Sequence, residues 1–232
     1  MINNKAIIFC GHGSSNVNYK KKFRVFISKF RYLFSDYDVF DCYIEIDSPN
    51  IKECAEKVSS YSKIIFFPLF IFDGKHYERD VKDKIRKLNK KIIFVEKISL
   101  GKEIFELIKS DILTCKDEEI KYLVTSCSIT VKKSIYKELS EYTSRIVKVL
   151  GFSKGYFCRY GNEEKIIIEL NRSLKHRPGK VILHPVYLFE GYLYQKVTGK
   201  FLNVVNNLNV LRPISEYQNF FLLIKKKLMN IK

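Results

Sequence analysis

Four histidines, at positions 12, 76, 176 and 184, are the side chains of this sequence best suited to holding a metal ion or moving a proton near neutral pH. Two of them follow apolar runs: His12 comes directly after Lys5-Ala-Ile-Ile-Phe-Cys10 in a Gly-His-Gly-Ser turn, and His76 closes Phe67-Pro-Leu-Phe-Ile-Phe-Asp-Gly-Lys-His76. If both runs are strands of one parallel sheet, the loops after strands one, two and three all open at its carboxyl edge, where such folds bind ligands. That edge gathers His12, His76 and an acidic residue of the second loop, Glu45 or Asp47. Two imidazoles and a carboxylate hold a divalent first-row transition ion while leaving coordination positions open, as a site that must take up and release metal requires. Gly11 and Gly13 fit a tight turn at which something approaches closely, and Ser14 has the chemistry to cap the helix that follows.

The remaining candidates read differently. His184 lies inside an apolar run before Pro185, which suits a core or inter-domain histidine, and His176 in Lys175-His-Arg-Pro178 reads as an exposed loop residue. Cys127, in Thr125-Ser-Cys-Ser128, aligns opposite His12 when the first strands of the two halves are superposed, as a buried thiol or a soft ligand. A competing enzyme class, the histidine phosphatases, places Arg before the His-Gly of its first loop to clamp phosphate; Gly11 stands there instead, so that reading loses its clamp.

The elements that must position these residues follow from periodicity. Lys5–Cys10 is an apolar strand, and Phe23, Phe26, Ile27, Phe30, Leu33 and Phe34 recur at helical spacing behind it. A strand over 38–46, a helix opened by Ser48 as N-cap and Pro49, and a strand over 63–72 come next. A helix marked by Val81, Ile85 and Leu88, a strand over 92–95 and a helix over 104–112 complete the first set. The same order then repeats: strands over 120–125, 155–159, 180–189 and 208–211, with helices over 131–145, 163–174, after Gly191 and over 220–229. Pro68-Leu-Phe-Ile-Phe-Asp-Gly74 matches Pro185-Val-Tyr-Leu-Phe-Glu-Gly191 at an offset of 117 positions. The expected fold class is therefore α/β, with two tandem, similar βαβαβαβα units, each an open, mostly parallel sheet with helices on both faces. The units are expected at 1–116, carrying the metal site, and 117–232, lacking its histidines.

Composition bounds the function. The chain has 232 residues, 46% of them hydrophobic, and 42 Lys+Arg against 25 Asp+Glu, a net charge of +17. The excess is spread: 22 basic against 15 acidic residues (+7) in 1–116, and 20 against 10 (+10) in 117–232. Spread charge suits an anionic ligand better than a nucleic-acid stripe, so no nucleic-acid partner is expected. The longest apolar run falls short of the roughly 20 residues a bilayer needs, and no leader pattern opens the sequence. Six cysteines without a CxxC pair suit a reducing compartment, so the expected location is cytoplasmic.

Ile8-Phe-Cys-Gly-His-Gly-Ser-Ser15, Tyr43-Ile-Glu-Ile-Asp-Ser-Pro49, and Phe67 to His76 with Glu78-Arg-Asp-Val81 together resemble the three signature blocks of the sirohydrochlorin cobaltochelatase and ferrochelatase family, the class II chelatases, in its long two-domain form. The resemblance implies insertion of a divalent metal into sirohydrochlorin, a macrocycle bearing many carboxylates, with release of two protons. Cobalt is the expected ion, for cobalamin biosynthesis; iron (siroheme) and nickel are alternatives. No cofactor is permanently bound, because Co2+, Fe2+ or Ni2+ is itself a substrate. By position, His12 matches the histidine that binds metal and accepts a proton, His76 the second ligand, and Glu45 an acid near the metal in some members. The substrate loop maps onto Ile71, Phe72, Asp73, Gly74, Lys75 and His76. A substrate-contacting Glu before Pro maps onto Ser48, a departure for which Asp47 is a candidate stand-in. A monomer is expected, with its two copies as a pseudo-two-fold pair facing across a cleft rimmed by Lys and Arg. A non-catalytic metal or tetrapyrrole carrier is the alternative of another class.

Overall fold

Ala6 to Cys10 are all buried, with no polar alternation, as a parallel strand covered on both faces requires. The computed structural model describes residues 4–72, 81, 85, 92–115, 120–128 and 132–231. In it β1 (Lys5–Gly11) pairs in parallel with β2 (Asp38–Tyr43) and β3 (Lys63–Pro68), and β4 (Ile92–Phe94) joins β3, giving the order β2-β1-β3-β4. Successive side chains leave opposite faces. Ala6, Ile8 and Cys10 pack with Cys42, Cys54, Ile64, Phe66, Val81 and Ile85 on the face of α2 (Ile51–Lys57). Phe9 turns the other way, its ring 4.8 Å from Phe30 of α1 (Val17–Leu33).

The second sheet repeats the plan. β5 (Ile120–Cys127), β6 (Lys154–Arg159), β7 (Lys180–Pro185) and β8 (Leu208–Val210) are all parallel in the order β6-β5-β7-β8. The helices are α3 (Lys102–Cys115), α4 (Lys133–Leu150), α5 (Glu163–His176), α6 (Tyr192–Leu202) and α7 (Gln218–Met229). The internal match survives in the register, since Pro68 ends β3 opposite Cys10 and Pro185 ends β7 opposite Ser126. The fold is thus α/β, with two similar parallel units.

In space the chain divides into Met1–Ser99 with Phe221–Lys232, and Leu100–Phe220. This differs from a cut between residues 116 and 117 by one helix in each direction. In the first unit the Phe221 ring lies 4.7 Å from Phe30. In the second, α3 presents Asp111 to Arg212, whose guanidinium donates to both carboxylate oxygens at 2.8 and 2.7 Å. An amphipathic period shows that a helix has an apolar face, not which sheet will cover it.

Several boundaries differ from the sequence expectation for local reasons. β3 and β7 stop at their prolines rather than at 72 and 189. Leu69 N–H then turns back to the Cys10 carbonyl at 2.8 Å, and Val186 N–H to that of Ser126 at 2.7 Å. β2 ends at Tyr43 because the chain turns sharply at Ile46, whose φ is +70°. The cap of α2 is Asn50, not Ser48: its carboxamide accepts from the N–H groups of Lys52 and Glu53, and the Glu53 carboxylate accepts from its backbone in return. The Ser48–Pro49 peptide bond is cis. Asn16, not Ser14, caps α1, while the Ser14 hydroxyl accepts from the Asn16 N–H. Leu33, the last residue of α1, is exposed. Leu88 lies outside the described residues.

Candidate functional site

β1 delivers the chain to the carboxyl edge at Gly11, where Tyr19 and Phe23 of α1 press so closely that a Cβ would lie 2.8 Å from the Phe23 ring. His12 follows, its carbonyl accepting the Glu45 N–H at 3.1 Å. Gly13 has φ of +93°, and a Cβ there would meet the Glu45 carbonyl oxygen at 1.8 Å. Only glycine lets the two loops touch at this point.

On this platform the His12 and Glu45 side chains meet, with Nδ1 3.4 Å from Oε1; they are 43% and 44% exposed. A carboxylate at Nδ1 favours the tautomer protonated there and leaves the lone pair on Nε2 for a metal or a proton. Asp47, beside them, is spent on the architecture. It is only 11% exposed, accepting from Ser14 N–H at 2.9 Å on one oxygen and lying 2.6 Å from the Lys20 ammonium on the other. It therefore braces the turn, and Ser48 is exposed in the same loop. Burial pushes the Tyr19 phenol up, against backbone hydrogen bonds from Gly13 and His12, so it stays neutral under the turn.

The structure thus brings His12 and Glu45 together. His76, Asp73, Gly74 and Lys75 lie outside the described residues. Of the expected substrate loop, Ile71 is buried and Phe72 half-buried, and the Ile71 carbonyl accepts from Lys97 Nζ at 2.8 Å. Lys97 and Lys20 were not singled out by sequence; their partners are a carbonyl and a carboxylate 26 or more positions away, which no local pattern announces. Among the described residues no group of three His, Cys, Asp or Glu side chains is placed to hold a metal ion.

The second unit corrects one alignment. Ile44 N–H bonds the Gly11 carbonyl and Tyr160 N–H that of Cys127, while Cys10 and Ser126 both face the strand-ending prolines. Cys127 therefore occupies the place of Gly11, and Ser128 that of His12. Cys127 is buried and its thiol is pushed up to about 12 by that burial, with Arg159 opposing, so it is a protonated core residue. Cys10, Cys42, Cys54, Cys127 and Cys158 are all buried and unbridged. His184 pairs with Thr125 as Phe67 does with Phe9, is fully buried, and lies with Nε2 3.1 Å from the Tyr142 hydroxyl. Burial drives its imidazole down to about 3, so it is neutral. His176 is exposed as expected, but as the last residue of α5 and not in a loop.

Comparison with known proteins follows the same line. Residues 6–114 match the family model described as CbiX. A 71-residue stretch is 32% identical to the sirohydrochlorin cobaltochelatase of Sulfolobus acidocaldarius, covering 29% of this chain and 58% of that protein. Among solved structures, the sirohydrochlorin chelatase SirB of Bacillus subtilis subspecies spizizenii in complex with cobalt superposes with a TM-score of 0.75, at 15% identity over 98% of this chain and 96% of that one. SirB of Bacillus subtilis with Fe3+ gives 0.77, at 15% identity over 97% and 94%. At these identities the likeness establishes the two-unit fold. No helix among the described residues is long and apolar enough to cross a membrane.

Proposed function

We propose that this chain, whose residues 6–114 match the family model described as CbiX, inserts a divalent metal ion into sirohydrochlorin. The observation that carries the reading is the His12–Glu45 pair, 3.4 Å apart in a glycine-framed turn at the carboxyl edge of a parallel sheet, within the matched segment. Insertion replaces two pyrrole N–H protons by one divalent ion. His12 offers the metal its Nε2 lone pair and, once the ion has moved to the macrocycle, the same lone pair takes a pyrrole proton. Glu45 steadies the ring through Nδ1, and because both side chains are partly exposed the imidazolium releases that proton to solvent, after which the same Nε2 lone pair takes the second pyrrole proton. His76 is assigned the second metal contact, with Ile71 to Lys75 and Ser48 along the macrocycle. The reading treats 1–116 and 117–232 as duplicated copies, the first bearing the chemistry, and places the work in the cytoplasm.

Cobalt is the ion we favour, on the name of the Sulfolobus relative; the SirB structures with cobalt and with Fe3+ make iron the second reading. The test is absorbance-monitored incubation of sirohydrochlorin with Co2+, Fe2+ or Ni2+, with and without the purified chain. A protein-dependent initial rate, fastest with cobalt, is expected. Rates equal to the protein-free control for all three ions overturn the reading in favour of a non-catalytic carrier.

A further inference from the structure

Ile46 is in an unusual position. Its φ is +70°, a region in which glycine, asparagine and aspartate are cheap and a β-branched residue is a genuine outlier. Asp47 N–H bonds the Glu45 carbonyl at 2.8 Å across it, closing a three-residue γ-turn of the strained hand. The surroundings impose this conformation. Glu45 N–H is tied to the His12 carbonyl, the Glu45 carbonyl rests on Gly13, and the Asp47 carboxylate is held by Ser14 and Lys20. Yet the side chain so presented is 65% exposed, so burial in the fold returns little for the strain. In the second unit the corresponding loop takes its positive φ at Gly161, with no side chain at all. Strain kept at an exposed position next to reactive groups points to function.

We infer that Ile46 is a specificity-determining contact, an alkyl surface held against the apolar face of the macrocycle one residue from the Glu45–His12 pair. This rests on the chelatase reading and deepens it, dividing the labour: rim carboxylates meet the basic surface, while the conjugated ring plane meets Ile46.

The experiment compares Ile46→Gly and Ile46→Asn, which both tolerate the backbone, with Ile46→Leu, which keeps the apolar bulk. Sirohydrochlorin affinity is measured by fluorescence titration without metal, and KM separately for sirohydrochlorin and for Co2+. The Gly and Asn variants are expected to weaken sirohydrochlorin binding and raise its KM by about tenfold. The KM for Co2+ should hold, the melting temperature of the Gly and Asn variants should hold or rise as the strain is relieved, and Ile46→Leu should stay within about threefold of the parent. Unchanged sirohydrochlorin affinity in Ile46→Gly, with an active parent protein, overturns this inference alone. So does equal loss of affinity for both substrates in all three variants, which would make the turn and not the side chain responsible. A parent protein that does not bind sirohydrochlorin overturns the chelatase reading and this inference with it.

Discussion

The carboxyl edges of the two sheets are built alike and equipped differently. Each has a carboxylate clamped between a backbone N–H and a lysine: Asp47 with Ser14 and Lys20 in the first unit, buried Glu163 with Gly161 and Lys200 in the second. What differs is what is hung on that brace. Between β2 and α2 the chain spends residues 44–50, whereas between β6 and α5 it needs only 160–162. The longer loop contributes Glu45 and Ile46, and His12 stands where the second unit has Ser128. An acidic clamp recurs with different partners, Asp47 tying its loop to the β1–α1 turn and α1 but Glu163 holding its own loop and reaching α6, and the loop lengths make the two edges differ further. Two similar units can thus carry loops of different length and different side chains at the same edge of the sheet.

The largest test of that contrast is His12→Ala. Metal insertion should fall by about 100-fold or more, the range of a lost proton acceptor, with the melting temperature unchanged because the side chain is half exposed. An active purified variant would break the assignment of chemistry to the first edge. Next in size is a pair of glycine substitutions. Gly13→Ala should cost about 3 kcal/mol or more in urea denaturation, since its Cβ has no room against Glu45, and should abolish turnover. Gly161→Ala shares φ of +93° but meets nothing within 4 Å, so it should cost only about 1 kcal/mol and leave turnover intact; equal costs would remove the distinction between the loops.

A third test uses the cores. His184 in the second unit replaces Phe67 of the first, and its folded value of about 3 lies below the ordinary value of about 6.5. Between those values the unfolded chain takes up a proton that the folded unit refuses. Stability is thus full above about pH 6.5, falls as pH drops and stops falling near pH 3. The group should contribute a loss of roughly 2 kcal/mol between pH 7 and 5, and His184→Phe should flatten that slope, read as denaturation midpoints at the two pH values. A smaller effect is expected for Glu45→Gln, about tenfold in rate with no change in stability; an unaltered rate would leave His12 working without its neighbour. Smallest is ionic strength: raising salt from low to about physiological values should increase the KM for sirohydrochlorin a few-fold, because exposed lysines and arginines are screened.

The sheets and most helices were legible in sequence because a buried parallel strand is an uninterrupted apolar run and a surface helix repeats every three to four residues. Phe23, Phe26, Ile27 and Phe30 show both the pattern and the burial it promises. The repeat was legible through Pro68 and Pro185, since a residue without an N–H marks the end of a paired strand in both copies. The His12 turn was legible because glycines flank it. The form of residues 44–50 was not, since it is imposed from Gly13, more than thirty positions earlier, and Asn50 takes the cap that Ser48-Pro49 advertises. Superposing the apolar runs of the first strands placed Cys127 against His12, an offset of 115; the paired strands run at 116, and hydrogen bonds from Ile44 and Tyr160 were needed to see it. The assignment of α3 and α7 to their sheets was likewise closed to sequence, because both helices carry an apolar face that either sheet could cover.

That last feature sets an order of events during synthesis. The unit bearing His12 begins at the amino terminus but is completed by Phe221, which is made after every strand of the other unit. A ribosome that has finished the first 116 residues has not finished the first unit, and a nascent chain halted shortly before residue 221 would lack a wall of the very unit that was translated first. The unit bearing His12 is thus started before the other and closed after it, which ties its integrity to an undamaged message through the codons of α7.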